Sequence, residues 1–270
     1  MDTRLDLLFL LHLPFQVIQK SSSLCITGQS GGTGSYLLVG LGGGLFATCL
    51  QGLFRALSLS VCEIDGEMEN VAREYFGFRS TTRTKVVIQD GVDYLSSLHN
   101  AGAGESDKAA LGEGHFDVIF LDVDSQDPSL GMSAPPAAFI TIDALENAWK
   151  ALVYGGLLLI NVVSREHDAF RSLQSKLTDL FTLRGSGGHR TLDQSMYGAV
   201  YCLRPSDEYT NVLLLAVKEL SADGVLEDSV NERTLVEELW LGKLSEILGQ
   251  VEVKEIMSRI ECVTANVAKT

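Results

Sequence analysis

Tyr36-Leu-Leu-Val-Gly-Leu-Gly-Gly-Gly-Leu45 runs on, after a helix-length gap, to Leu57-Ser-Leu-Ser-Val-Cys-Glu-Ile-Asp65. The first apolar run ends in glycines at 40, 42, 43 and 44, and the second ends on Glu63. This is the layout of a nucleotide-binding βαβ unit. Glycines after the first strand let the backbone turn sharply and approach a ligand, here through Gly40, Gly42 and Gly44. An acid at the tip of the second strand offers two acceptor oxygens, matched to the paired hydroxyls of a ribose. A glycine-rich turn alone is a weak signal. With its acid 23 positions on (63 minus 40), it is a stronger one.

Outward from this unit the pattern repeats. A helix is expected over Glu67–Phe76 with Gly77 as its stop, then a strand over Thr84–Gln89 ending at Asp90-Gly91, then a helix over Val92–Leu98. A fourth strand, Phe116–Leu121, runs into Asp122-Val-Asp-Ser-Gln-Asp127 and Pro128. A helix over Ile142–Leu152 is closed by Gly155-Gly156, and Leu157–Val163 is a continuous apolar run of the kind central parallel strands show. A helix at 166–181 and two strands near 197–203 and 211–217 complete the series. Alternating β and α predicts a doubly wound, mostly parallel α/β sheet, and the two late neighbouring strands predict an antiparallel edge hairpin.

The expected organisation has three parts. Residues 1–35 read as an apolar segment and flexible connector, 36–218 as the ligand-binding domain, and 219–270 as a helical tail. The tail carries Leu235, Leu239, Leu241, Leu244 and Leu248 close to helical spacing. Residues 99–115, rich in Gly, Ala and charge, read as a surface loop.

Composition narrows the function classes. With 21 Lys+Arg against 35 Asp+Glu the formal charge is −14, a field that repels nucleic acid phosphates and favours a cationic partner. The five cysteines are scattered, without a Cys-x-x-Cys pair, which suits a reduced, cytoplasmic protein and argues against disulfide or zinc frameworks. The apolar start lacks a basic leader, and no run reaches the ~18 apolar residues of a membrane span.

In a doubly wound sheet the ligand sits at the carboxyl ends of the strands. Strand one delivers its glycines there, strand two Glu63 and Asp65, strand three Asp90 and Gly91, strand four Asp122 and Asp124, and strand five Asn161. Asp65 has a competing reading as the cap of the next helix. Asp90 is read as an acceptor for an adenine amino group or as the cap of the Val92 helix. Asp122 and Asp124 would build a negative pocket suited to an amine; a metal site is the weaker alternative, since no Cys or His supplements them. No Gly-x-Ser-x-Gly elbow stands where a hydrolase requires it.

On Gly-Leu-Gly-Gly-Gly, Cys-Glu-Ile-Asp, Gln-Asp-Gly-Val-Asp-Tyr and Phe-Asp-Val-Ile-Phe-Leu-Asp-Val-Asp-Ser-Gln-Asp-Pro, the chain resembles the spermidine-synthase-like branch of class I S-adenosylmethionine methyltransferases. More closely, Glu74-Tyr-Phe-Gly-Phe78, Leu121-Asp-Val-Asp-Ser125, Asp127-Pro-Ser-Leu-Gly-Met132 and Ile160-Asn-Val-Val-Ser-Arg165 resemble the carboxyl-terminal domain of the methyltransferase-like protein 13 family. That resemblance covers about residues 36–203. It implies a Rossmann-like class I methyltransferase fold, S-adenosyl-L-methionine as cofactor, and a protein substrate with a free amino terminus, of elongation factor 1-alpha type. It implies Gly40, Gly42, Gly44, Glu63 and Asp90 for the cofactor, and Asp122, Asp124 and Asn161 for the substrate amine. Two departures stand out: residues 1–35 do not look like the site-closing segment the family carries there, so an incomplete amino-terminal part and impaired activity are one expectation. Tyr197-Gly198 stands where the family tends to have Asn-Glu. A polyamine synthase and a non-catalytic module of the same fold are the alternative readings. Polyamine synthases typically read Asp-Ser-Ser-Asp-Pro where this chain inserts Val123-Asp124.

Overall fold

The computed structural model describes residues 34–53, 57–100, 116–125, 127, 131–183, 196–203, 211–221 and 260–262. The apolar segment before residue 34, residues 101–115 of the expected loop and the Leu235–Leu248 run lie outside them.

The elements follow the expected alternation. They are β1 (Ser35–Val39), α1 (Leu45–Leu53), β2 (Ser58–Glu63), α2 (Gly66–Tyr75), β3 (Thr84–Ile88), α3 (Gly91–Asn100), β4 (Phe116–Leu121) and β5 (Met132–Ala134). Then come α4 (Ile142–Ala151), β6 (Leu152–Ser164), α5 (His167–Thr178), β7 (Met196–Leu203), β8 (Asn211–Ser221) and β9 (Ile260–Cys262). The sheet order is β3-β2-β1-β4-β6-β8-β7-β9, with β5 paired to β6 off this path. The pairs β3-β2, β2-β1, β1-β4 and β4-β6 are parallel. The expected antiparallel hairpin is β7–β8, placed so that β8 inserts between β6 and β7.

The central strands β1, β4 and β6 bury both faces, which is why their runs are apolar throughout. On one face Leu37, Val39, Ile119, Leu121, Leu158 and Ile160 pack with Leu95 of α3, Leu145 and Ala148 of α4, and Leu173 and Leu177 of α5. On the other, Tyr36, Leu38, Leu59, Val61, Val118, Phe120, Leu157 and Leu159 pack with Ala47 and Leu50 of α1 and Ala72 of α2. Fully burying a side chain of this kind contributes about 1.5–3 kcal/mol, so these two layers fix the strand order.

Four boundaries differ from the sequence expectation. First, the expected glycine stop of α4 is not used: its C-cap is Leu152 in extended conformation, and that residue already opens β6. Gly155 and Gly156 lie inside the strand, where Phe116 pairs with Leu152 but Val118 with Leu157. Six residues of β6 there (152–157) oppose three of β4 (116–118), a bulge that glycine accommodates. Second, β5 is too short for any alternation to reveal it. Third, the helix expected over 166–181 stops at Thr178 and continues as a π-turn over Asp179–Leu183. Fourth, Ile260–Cys262, expected in the helical tail, pair antiparallel with β7.

Candidate functional site

Strand alternation builds the site. Residues two apart share a face, so the rows Leu59–Val61, Tyr36–Leu38, Val118–Phe120 and Leu157–Leu159 all lie on the α1 face. Continued by one step, the rows of β2, β1, β4 and β6 end on Glu63, Gly40, Asp122 and Asn161. Parallel pairing in register keeps these ends level, since Val39 pairs with both Cys62 and Leu121, and Leu121 with Ile160. A line of carboxylate, glycine, carboxylate and amide therefore crosses the sheet where the apolar packing stops. At ~4.8 Å per strand, Glu63 and Asp122 stand roughly 10 Å apart with a side-chain-free position between them.

Gly40 is fixed by its neighbours. Its φ is +96° and its N–H donates to the Cys62 carbonyl at 2.8 Å. A Cβ there would run into the backbone carbonyl of Asp122. The turn passes through Gly42, whose Cβ position meets open space, and closes where Gly44 N–H donates to Leu41 O at 2.9 Å. Thr48 N–H then donates to Gly44 O at 2.9 Å and α1 begins.

Glu63 is buried, and its Oε2 accepts from Leu41 N–H at 2.8 Å while Oε1 accepts from Asp65 N–H at 3.0 Å. Asp65 caps α2 by accepting from Glu67 N–H at 2.9 Å. Asp90 caps α3 through Oδ1, which accepts from Val92 N–H at 2.8 Å and Asp93 N–H at 3.2 Å. Gly91 is buried, and a Cβ there would lie 2.5 Å from Val39 Cγ1 and 2.9 Å from Phe139 Cζ, so close packing alone requires glycine at this position. Between the acids, the Cys62 thiol donates to Gln89 O at 3.3 Å. Burial, with Asp90 and Glu63 adding to it, pushes that thiol up to about 12.

On the other side of Gly40, Asn161 Nδ2 donates to Asp122 Oδ1 at 3.0 Å. The Asn161 Oδ1 is buried and has no hydrogen-bond partner. Asp124 is exposed two residues further on. Next to it, Ser125 N–H donates to Ser133 O at 2.8 Å. Gly131 O accepts from Arg165 N–H at 2.7 Å, and a Cβ at Gly131 would meet the Glu166 carboxylate. The strand ends thus bring together Gly40, Glu63, Asp122 and Asn161, while Asp65 and Asp90 are engaged as helix caps.

Two neighbours escaped the sequence reading. Ile64 and Ile88 are 67% and 48% exposed at the ends of β2 and β3, flanking Glu63. For Ile64 the usable signal was a large apolar residue directly after a strand-end acid. Among the described residues no group of three His, Cys, Asp or Glu is arranged to hold a metal ion.

Sheet order, inserted antiparallel strand and strand-end site define a class I methyltransferase fold. The solved structure of human methyltransferase-like protein 13 in complex with SAH superposes with a TM-score of 0.61 at 26% identity, covering 86% of this chain and 89% of that one. A probable spermidine synthase from Corynebacterium glutamicum shares the fold, with a TM-score of 0.53 at 18% identity over 85% of this chain and 70% of that one. In sequence the chain is similar to proteins named eEF1A lysine and N-terminal methyltransferase. It is 40% identical to the human protein over 147 residues, 54% of this chain and 20% of the relative. It is 33% identical to the Danio rerio protein over 175 residues, 65% of this chain and 24% of the relative. It therefore spans about a quarter of the length of such relatives, or less, as fits their carboxyl-terminal domain. No family model matches the chain.

Proposed function

We propose that this chain binds S-adenosylmethionine and methylates a protein amino group, with the amino-terminal glycine of an elongation factor 1-alpha type protein as substrate, in the cytoplasm. The observation that carries the reading is the line Glu63, Gly40, Asp122, Asn161 on one face of the sheet. Homology to proteins named for this activity and likeness to an SAH-bound structure support it.

The residues present fit the cofactor. Each Glu63 oxygen keeps a lone pair after its backbone contact, enough for two ribose hydroxyls. Exposed Ile64 and Ile88 offer a flat ring an apolar surface beside that acid. Gly40 leaves the space between Glu63 and Asp122 free of a side chain. When bound, the cofactor supplies an electrophilic methyl group on its sulfonium.

Asp122 and Asn161 hold the amine. A terminal amine has an unperturbed pKa of ~7.7–8.0, so a useful fraction is neutral near pH 7 and no strong base is needed. Positioning is then the main requirement. The Asn161 amide donates one N–H to Asp122, and its buried oxygen is left as an acceptor without a partner. An amine hydrogen satisfies that oxygen and turns the nitrogen lone pair toward the methyl. Asp124, exposed beyond the pair, adds negative charge for the cationic form on arrival.

The test is methyl transfer from labelled cofactor to a peptide beginning Gly-Lys, beside the same peptide acetylated. Transfer to the free amine alone is expected. Equal labelling of both would overturn the amine site, and a preference for decarboxylated cofactor with a polyamine acceptor would make the protein a polyamine synthase.

A further inference from the structure

Glu63 is only 8% exposed, and both of its oxygens already hold backbone donors in the absence of any ligand. Those donors belong to different loops. Leu41 N–H lies in the turn after β1, and Asp65 N–H in the turn before α2. Leu41 stands between Gly40 at φ +96° and Gly42 at φ +50°, positions where glycine imposes no conformation of its own. Leu41 O in turn accepts from Gly44 N–H, and Gly44 O from Thr48 N–H, so the bond from Glu63 is the first link of a chain ending in α1.

We infer that Glu63 is a positioning residue: its carboxylate pins the glycine turn to the end of β2 and holds the cofactor cradle in shape before any cofactor arrives. This rests on the reading of the turn as a cofactor site and adds a second task to the acid expected to meet the ribose. The two tasks make different chemical demands. Ribose hydroxyls both donate and accept, so a glutamine facing them keeps two hydrogen bonds by turning its amide. Backbone N–H groups only donate. A glutamine facing two of them satisfies one with its oxygen and sets its NH2 against the other. A carboxylate is therefore required by the turn, not by the ribose.

The experiment compares Glu63→Gln with wild type. In the cofactor-free protein, amide hydrogen exchange at Leu41 or Asp65 is expected to quicken about 10- to 100-fold, the size of one lost charge-assisted bond, while exchange in β4 and β6 stays as it was. With cofactor, KM for S-adenosylmethionine is expected to rise by a similar factor while kcat at saturation holds. Unchanged exchange at both amides would overturn the inference, as would a Glu63→Gln protein with wild-type cofactor KM. If Glu63→Gln does not fold, Glu63→Asp, whose shorter arm reaches one donor and not both, carries the same comparison. Failure of the methyltransferase reading looks different: wild type itself would bind no cofactor, while the exchange measurement would still decide the role of Glu63.

Discussion

Asn161 donates its side-chain amide to Asp122 Oδ1 across 3.0 Å, joining residues 39 apart in sequence, one just past β4 and one near the carboxyl end of β6. The bond fixes the polarity of the amide. With Nδ2 committed to a carboxylate, Oδ1 can only be the acceptor, and it is buried without a partner. A buried carbonyl left unpaired costs about 1–3 kcal/mol, which is returned when a donor binds.

The two residues are expected to act as one unit. Asp122→Ala and Asn161→Ala should each lower methyl transfer by one to several orders of magnitude with little change in cofactor affinity, and the double variant should be scarcely worse than either. The coupling should then match the loss of one single variant, about 1.4 kcal/mol for each factor of ten. Transfer rates and calorimetric cofactor binding on the same four proteins decide the matter. Strictly additive losses would mean that Asn161 and Asp122 serve separate ends.

Much of this site was legible in the sequence because parallel strands report their own ends. Val118, Phe120 and Asp122 read as an alternating row that turns polar, and so do Leu157, Leu159 and Asn161. What the sequence hid was what each polar group touches. Asp65 and Asp90 stand where ligand acids stand, yet each accepts the N–H groups of the helix that follows it. Strand-end acids and N-cap acids are the same residue types at the same position, so spacing does not separate them. The bulge at Gly155-Gly156 was hidden for a similar reason, because paired glycines after a helical run read as a stop. Lys218 in the middle of an apolar strand gave no warning of its role.

Cys62 should be chemically silent. Its thiol is 1% exposed and pushed up to about 12 from an ordinary 9.0, so it carries no thiolate at neutral pH. Among the described residues, half-buried Cys49 is expected to react with a thiol reagent before buried Cys62, which reacts only after unfolding. The folded pKa is the higher one, so this group's stabilising effect is complete below pH 9 and is lost as pH rises from about 9 to about 12. Mass-resolved labelling at pH 7.5, with urea melts between pH 8 and 10.5 for wild type and Cys62→Ala, checks both statements. Rapid modification of Cys62 in the folded protein would contradict the first.

Lys218 should matter for stability and not for transfer. It is 3% exposed on β8, its Nζ donates to Leu152 O at 2.7 Å, and it lies 4.1 Å above the Trp149 ring. It thereby ties β8 to the junction where α4 becomes β6. Asn161 pairs with Leu213, so Lys218 sits five residues, roughly 17 Å, from the site end of the same strand. Lys218→Met should cost about 1–3 kcal/mol in urea denaturation by orphaning the Leu152 carbonyl and the ring face. Turnover per folded molecule should be retained. A turnover loss without a stability loss would place Lys218 in the site's machinery.

The glycine turn offers the sharpest division between fold and ligand. Gly40 and Gly42 both have positive φ, so alanine at either carries a backbone strain of about 1–2 kcal/mol. Their surroundings differ. At Gly40 the added Cβ meets the carbonyl of Asp122, so β1 and β4 must separate, and the total cost should exceed that at Gly42 by about 1–3 kcal/mol. Separation also draws Asp122 away from Asn161, so Gly40→Ala should lose transfer activity even in its folded fraction. At Gly42 the Cβ meets nothing, and the protein should pay only the backbone strain. If that open space is where the cofactor lies, Gly42→Ala should keep most of its melting temperature and lose cofactor affinity by an order of magnitude or more. Calorimetry and thermal melts on both variants make the comparison. A Gly42→Ala protein that binds S-adenosylmethionine as wild type does would remove Gly42 from the cofactor cradle and leave the turn to Gly40, Leu41 and Gly44.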